Sequence, residues 1–117
     1  MDRRNAFMAY VSITGLRLNS IFHAPRFWWN AIRSMAQAKA ALGLISVEAR
    51  TINGVHHTLT VWESRETMRK FLITGAHLKA MQSFKSVAGG KVLGFEAEQA
   101  PPWDEIHELW ATKGRDL

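Results

Sequence analysis

Three histidines and a tryptophan crowd the stretch GVHHTLTVWESRETMRKFLITGAH, residues 54–77. His56 and His57 are adjacent, Trp62 follows, and His77 closes the run. Imidazole titrates near neutrality, so each ring can take or give a proton or bind a metal. Whether the rings act together depends on what carries them. If His56 and His57 lie on a strand they point to opposite faces, which rules against a metal site built from that pair. The sequence contains no cysteine, which removes disulfides, thiolate metal sites and cysteine nucleophiles. No complete catalytic signature stands elsewhere in the chain.

The elements that position these residues follow from local pattern. AFMAYVSITGLRL alternates and is rich in strand formers, predicting a first strand from about Phe7 to Leu16. In HAPRFWWNAIRSMAQAKAALG, Pro25 suits a first helical turn and Gly43 a stop, with Trp28, Ala31, Ile32 and Met35 as the expected buried stripe. Trp29 falls off that stripe beside Arg33. Next comes a hairpin, Leu44 to Ile52 and Val55 to Trp62, reversed by Asn53-Gly54, the pair that supplies the positive φ angles of a type I′ turn. Ser64 caps a helix carrying Met68, Phe71 and Leu72 on its apolar side and ending at Gly75. A further helical piece runs through AHLKAMQSFKSVA to a turn at Gly89-Gly90, and KVLGFEAE is the fourth strand. After Pro101-Pro102 a short C-terminal helix, about 103–112, has Trp103, Ile106, His107 and Trp110 on one side.

The order β-α-β-β-α-β predicts an α+β, ferredoxin-like fold: a four-stranded antiparallel sheet with helices on one face. The 117 residues match one domain spanning 1–117, long enough to bury roughly two-thirds of its unfolded surface around a single core. Alternation then divides the strands. Ala9, Val11, Ile13, Ile45, Val47, Ala49, His57, Leu59, Val61, Leu93, Phe95 and Ala97 form an expected apolar floor for the helices. Tyr10, Ser12, Thr14, Ser46, Glu48, Arg50, His56, Thr58, Thr60, Trp62, Gly94, Glu96 and Glu98 form an expected polar face. Two large aromatics on a bare face expose much apolar area, so a second copy covering it, a homodimer with a polar cavity between the sheets, is expected.

The +5 net charge is uneven: residues 1–95 carry +9 and residues 96–117 carry −4. The basic residues are scattered, with no run of five, which predicts a solvated basic surface and no nucleic-acid partner. No apolar run is long enough to insert in a membrane and the N-terminus lacks a signal-peptide pattern, so the cytoplasm is the expected location.

With these elements in place, TLTVWES on the third strand and an aromatic-polar inner face resemble the dimeric α/β-barrel superfamily that contains the antibiotic-biosynthesis-type monooxygenases. HTLTVWESRETMRKFLITGAHLKAM followed by PPWDEIHELW resembles its spheroidene-monooxygenase-like branch. The likeness covers residues 7–110 and is sharpest at VWES, the helix after it, and GAH. It implies a homodimer with one pocket per subunit between the polar sheet face and the helices, and a monooxygenase-like oxidoreductase acting on a hydrophobic or aromatic small molecule. The alternative is a non-catalytic small-molecule-binding or structural homodimer. Some relatives oxygenate an activated aromatic without a cofactor; others bind haem through a helix histidine. The first chemistry needs a base and polar groups that hold an anion. His56 is the base, with Ser12, Glu48, Arg50, Thr58 and Thr60 as polar groups and Tyr10 and Trp62 as walls. The haem variant assigns His77 as axial ligand, on a helical face with Ala80, Met81 and Phe84. His57 is structural in either case.

Overall fold

The computed structural model describes residues 8–18, 24–73 and 88–116. Strand β1 (Ala9–Leu18) leads to helix α1 (Ala24–Ala40), the hairpin β2 (Leu44–Ile52) and β3 (Val55–Trp62), and helix α2 (Arg65–Leu72). Strand β4 (Ala88–Ala97), helix α3 (Trp103–Lys113) and a two-residue β5 (Arg115–Asp116) complete the chain. The antiparallel sheet has the order β2-β3-β1-β4-β5, the ferredoxin-like arrangement with one short strand added at the β4 edge. Among the described residues no helix is long and apolar enough to cross a membrane.

Local chemistry explains the junctions. Asn53 and Gly54 have φ of 51° and 76°, the left-handed pair expected of the hairpin turn. Gly43, at φ 87°, reverses the chain from α1 into β2. Ser64 caps α2 in a reciprocal box: its Oγ accepts from the Thr67 N–H at 3.2 Å, and Thr67 Oγ1 accepts from the Ser64 N–H at 3.3 Å. Gly89 and Gly90 belong to β4 rather than to a turn, because Gly90 packs against the Gly15 carbonyl and Leu16 with no room for a Cβ.

Both faces of the sheet are covered, and the cover differs from expectation. Val11, Ile13, Val55, Leu59 and Val61 pack under α3, against Ile106 and Trp110, with Leu93, Phe95, Ala97 and Trp103 at the margin. Helices α1 and α2 lie on the other face, where Ala38, Met68 and Phe71 pack around Trp62, with Tyr10 and Leu44 beside them. Alternation shows which residues share a face, not which helix covers it. The β-branched face is covered by α3, which packs Ile106 and Trp110 against it with Trp103 at the margin. Trp62 and Tyr10 are therefore covered by the chain's own helices, and the reason for placing a second copy there falls away.

The division of β2 is also corrected. In the two-residue hairpin Ile52 pairs with Val55, so even-numbered residues of β2 share a face with odd-numbered residues of β3. Glu48 pairs with Leu59 and Arg50 with His57, which puts both side chains on the α3 face. Val47, Ala49 and Thr51 stand beside Thr60, Thr58 and His56 instead. A bulge between Leu44 and Ser46 returns Leu44 to Trp62. The α1 stripe is rotated as well: Ala31, Met35 and Ala38 face inward, whereas Ile32 is exposed and Trp28, expected in the core, is half-exposed.

Candidate functional site

Between the sheet and the α1–α2 layer lies a cavity of about 360 Å³. Strand register builds its floor. Ser12 pairs with Thr60 and Thr14 with Thr58, so two cross-strand hydroxyl pairs occupy the centre. Val47 and Ala49 extend the floor on β2, Val92 and Gly94 on β4. Ala31, Met35 and Ala38 of α1 and Met68, Phe71 and Leu72 of α2 form an apolar roof.

Aromatic pillars stand at the two ends of β3, about 20 Å apart along the strand from residue 56 to residue 62. At one end Trp62 is fully buried and its ring lies 5.2 Å from Phe71 at a 34° tilt. Its indole Nε1 is the buried side-chain polar atom left without a hydrogen-bond partner among the described residues. At the other end the Trp28 ring meets His56 edge-on at 4.9 Å and 72°. Trp28 is 44% exposed, so this end is the mouth.

His56 is held from the neighbouring strand: Thr51 Oγ1 and His56 Nδ1 are 2.9 Å apart. Burial lowers the His56 pKa from its ordinary value, which keeps the ring neutral, the form that can accept a proton. Thr51 is the partner that sequence reading missed; the i+j spacing across a two-residue turn, 51 with 56, was the available signal.

The expected site residues divide between the faces. Tyr10, Ser12, Thr58, Thr60, Trp62 and His56 come together around the cavity. Glu48 does not: its Oε1 accepts from Trp103 Nε1 at 3.4 Å on the α3 face. Arg50 borders the cavity, but its guanidinium is turned away and lies 5.0 Å from the Trp103 ring centre. These two residues, expected to hold an anion, anchor α3 instead. His77 lies outside the described residues, as do the helical piece after Gly75 and the haem variant that depends on it.

The α3 face holds a second pair of rings. His57 is 1% exposed, its Nδ1 lies 3.3 Å from the Thr14 carbonyl oxygen, and its Nε2 lies 2.9 Å from Nδ1 of His107. With the proton of each ring on Nδ1, His57 donates to Thr14 and His107 donates to His57, so both nitrogens of the buried His57 ring are bonded. Burial lowers the His57 pKa first; the Thr14 bond opposes this, and repulsion from His107 and His56 adds to the lowering. Among the described residues no group of three His, Cys, Asp or Glu could hold a metal.

Comparison with known proteins places the fold. No protein-family model matches the sequence, and no curated protein matches it. Solved structures do. SnoaB, a cofactor-independent oxygenase from Streptomyces nogalater, superposes with a TM-score of 0.67 at 13% identity over 80% of this chain and 97% of that one. A candidate antibiotic-biosynthesis monooxygenase from Nitrosomonas europaea gives 0.67 at 11% identity over 80% and 92%. A Bacteroides thetaiotaomicron protein of unknown function, described as a possible oxidoreductase, gives 0.66 at 16% over 77% and 97%. The chain thus shares the ferredoxin-like fold of these structures.

Proposed function

We propose that this chain is a monooxygenase-like oxidoreductase that binds a hydrophobic, oxygen-bearing aromatic molecule in the cavity under α1 and α2. The observation that carries this reading is the cavity itself: an apolar roof over a floor of paired hydroxyls, with a neutral-biased histidine at the mouth. The fold it shares with a cofactor-independent oxygenase supports the same reading.

In this scheme the substrate ring slides between Met35 and the Ser12, Thr14, Thr58 and Thr60 hydroxyls. His56 removes a proton from an activated C–H or O–H, and the hydroxyls donate to the resulting anion. Dioxygen is the second substrate. For an activated methylene the group loses two hydrogens and gains one oxygen atom as a carbonyl, and the other oxygen atom leaves as water. A homodimer in which each copy keeps its own cavity is part of the same proposal.

The test uses anthrone, an aromatic ketone with an activated methylene, as probe. Binding is followed by tryptophan fluorescence and turnover by oxygen uptake. The expected result is saturable binding, oxygen uptake above the uncatalysed rate, and a His56→Ala variant that binds but turns over roughly 100-fold more slowly or worse. Binding with no uptake would leave the non-catalytic binding dimer as the reading, and no saturable binding would remove both. Sedimentation velocity reports the dimer independently.

A further inference from the structure

The outer side of α1 is not built like an ordinary solvated helix face. Trp29 and Ile32, one turn apart, are 63% and 64% exposed. Neither touches the cavity, yet the next residue, Trp28, forms its mouth. Single exposed apolar side chains are common and need no explanation, but two large ones on one ridge beside an apolar opening form a patch. The two helices of this layer are predominantly basic. Helices α1 and α2 carry six Lys and Arg and one acidic residue, and Arg33, Lys39, Arg65, Arg69 and Lys70 are all exposed. On the far side of the sheet α3 has the opposite bias, with Asp104, Glu105 and Glu108 against Lys113.

We propose that the α1–α2 layer docks on the surface of a bilayer bearing anionic headgroups, with Trp29 and Ile32 entering the interface and the basic side chains meeting the headgroups. An indole is suited to that boundary, since its ring is apolar and its N–H can bond to water or a headgroup. Each Lys or Arg near an anionic surface adds attraction that falls off within the screening length of the salt. A second copy is the weaker candidate as occupant. Its basic layer would meet the same positive charge here, and docking its acidic α3 would make a head-to-tail contact, which builds rings or filaments and not the two-fold dimer that is commonest among soluble oligomers. The docked orientation puts the mouth at Trp28 and His56 against the lipid, so an apolar compound dissolved there enters without crossing water.

The full chain is sedimented with vesicles of phosphatidylcholine alone and with vesicles that also contain phosphatidylglycerol. Binding to the anionic vesicles is expected, with little to the neutral ones, and it weakens as salt rises. The pair Trp29→Ser, Ile32→Ser is expected to lose more than tenfold in partition coefficient. The pair Arg33→Gln, Lys39→Gln is expected to lose roughly 25-fold, about fivefold per charge. Anthrone binding by both variants should equal that of the parent, which separates this result from the fate of the proposed activity. No sedimentation with anionic vesicles, equal binding to both kinds, or variants that bind like the parent would overturn the proposal. So would self-association of the parent that the Trp29→Ser, Ile32→Ser pair abolishes, since the occupant would then be another copy.

Discussion

The two faces of this sheet use the same four long strands and end in opposite results, one packed solid and the other hollow. Under α3, Val11, Ile13, Leu59 and Val61 meet Ile106 and Trp110, and the polar groups there are bonded: His57 to His107 and to Thr14, and Trp110 Nε1 to the Lys91 carbonyl at 2.8 Å. Under α1 and α2 the large residues stand at the ends, Trp62 with Phe71 and Trp28 with His56. Between them the floor offers only hydroxyls and small aliphatics, and the roof offers Ala31, Met35 and Ala38. The pillars set the separation of the layers and the short side chains between them cannot fill it. A cavity here is a consequence of side-chain size along otherwise equivalent strands.

If that account holds, truncation costs far more on the solid face. Ile106 is completely buried among β-branched neighbours, and Ile106→Ala should lower the unfolding free energy by about 2–5 kcal/mol, the removed transfer energy plus the void left behind. Met35→Ala, which enlarges a space already present, should cost no more than about 1 kcal/mol. Urea unfolding of both variants measures the gap, and equal losses would show that the cavity face is as well packed as the other.

The sequence pattern reveals most of the solid face and only part of the hollow one. Strand alternation identifies Val11, Ile13, Leu59, Val61 and Phe95 as sharing a side, and the α3 stripe of Trp103, Ile106 and Trp110 is readable from its helical spacing. What covers each side is not readable, because periodicity carries no information about which helix docks where. The misplacement of Glu48 and Arg50 has a narrower cause. A two-residue turn joins residues whose numbers sum to an odd value, and the turn at Asn53-Gly54 already implied that even positions of β2 sit beside odd positions of β3. Thr51 opposite His56 follows from the same arithmetic. The cavity itself depends on how far apart Trp62 and Trp28 hold the layers, which no local pattern encodes.

Glycines sharpen the comparison at the next level of effect. Each face has one on which an aromatic ring rests. A Cβ at Gly15 would overlap the Trp110 ring, fixed by its bond to Lys91 and its packing with Ile106. Gly15→Ala should therefore cost about 1–3 kcal/mol. A Cβ at Gly94 would meet the Tyr10 hydroxyl, the far end of a side chain with open space beside it. Gly94→Ala should cost less than about 1 kcal/mol while pushing Tyr10 into the cavity. Its signature is weaker anthrone binding at nearly unchanged stability.

Acid separates the faces further. His57 has a folded-state pKa below its unfolded value, so its contribution to stability is complete above the ordinary histidine pKa of about 6.5. As pH falls through that value the unfolded chain takes up a proton that the buried ring refuses, and stability declines until the folded-state pKa is reached. The urea midpoint should be flat from pH 8 to 7 and should drop between pH 6.5 and 5. In a His57→Phe variant the drop should be smaller, whatever the variant's absolute stability, although His56, also lowered, retains a part of it. A parent midpoint that does not change between pH 7 and 5 would show that the buried His57 ring accepts a proton in place.

The smallest expected effect compares two buried indoles. Trp110 and Trp62 are of similar burial, but Trp110 donates to Lys91 and Trp62 donates to nothing among the described residues. Replacing either by Phe removes the same ring volume and the same N–H. At Trp110 the change also strands a carbonyl, so the loss includes a hydrogen bond worth about 1 kcal/mol in addition to the void. At Trp62 it removes a buried donor whose desolvation cost of about 1–3 kcal/mol was not offset, and that relief opposes the void. Trp62→Phe should therefore fall within about 1 kcal/mol of the parent, and Trp110→Phe should lie clearly below it. Equal losses at the two positions would mean that the Trp62 N–H is bonded in solution. A water or a ligand at the inner end of the cavity would then be its partner, and the hollow face would be closer in polar satisfaction to the solid one than its side chains alone allow.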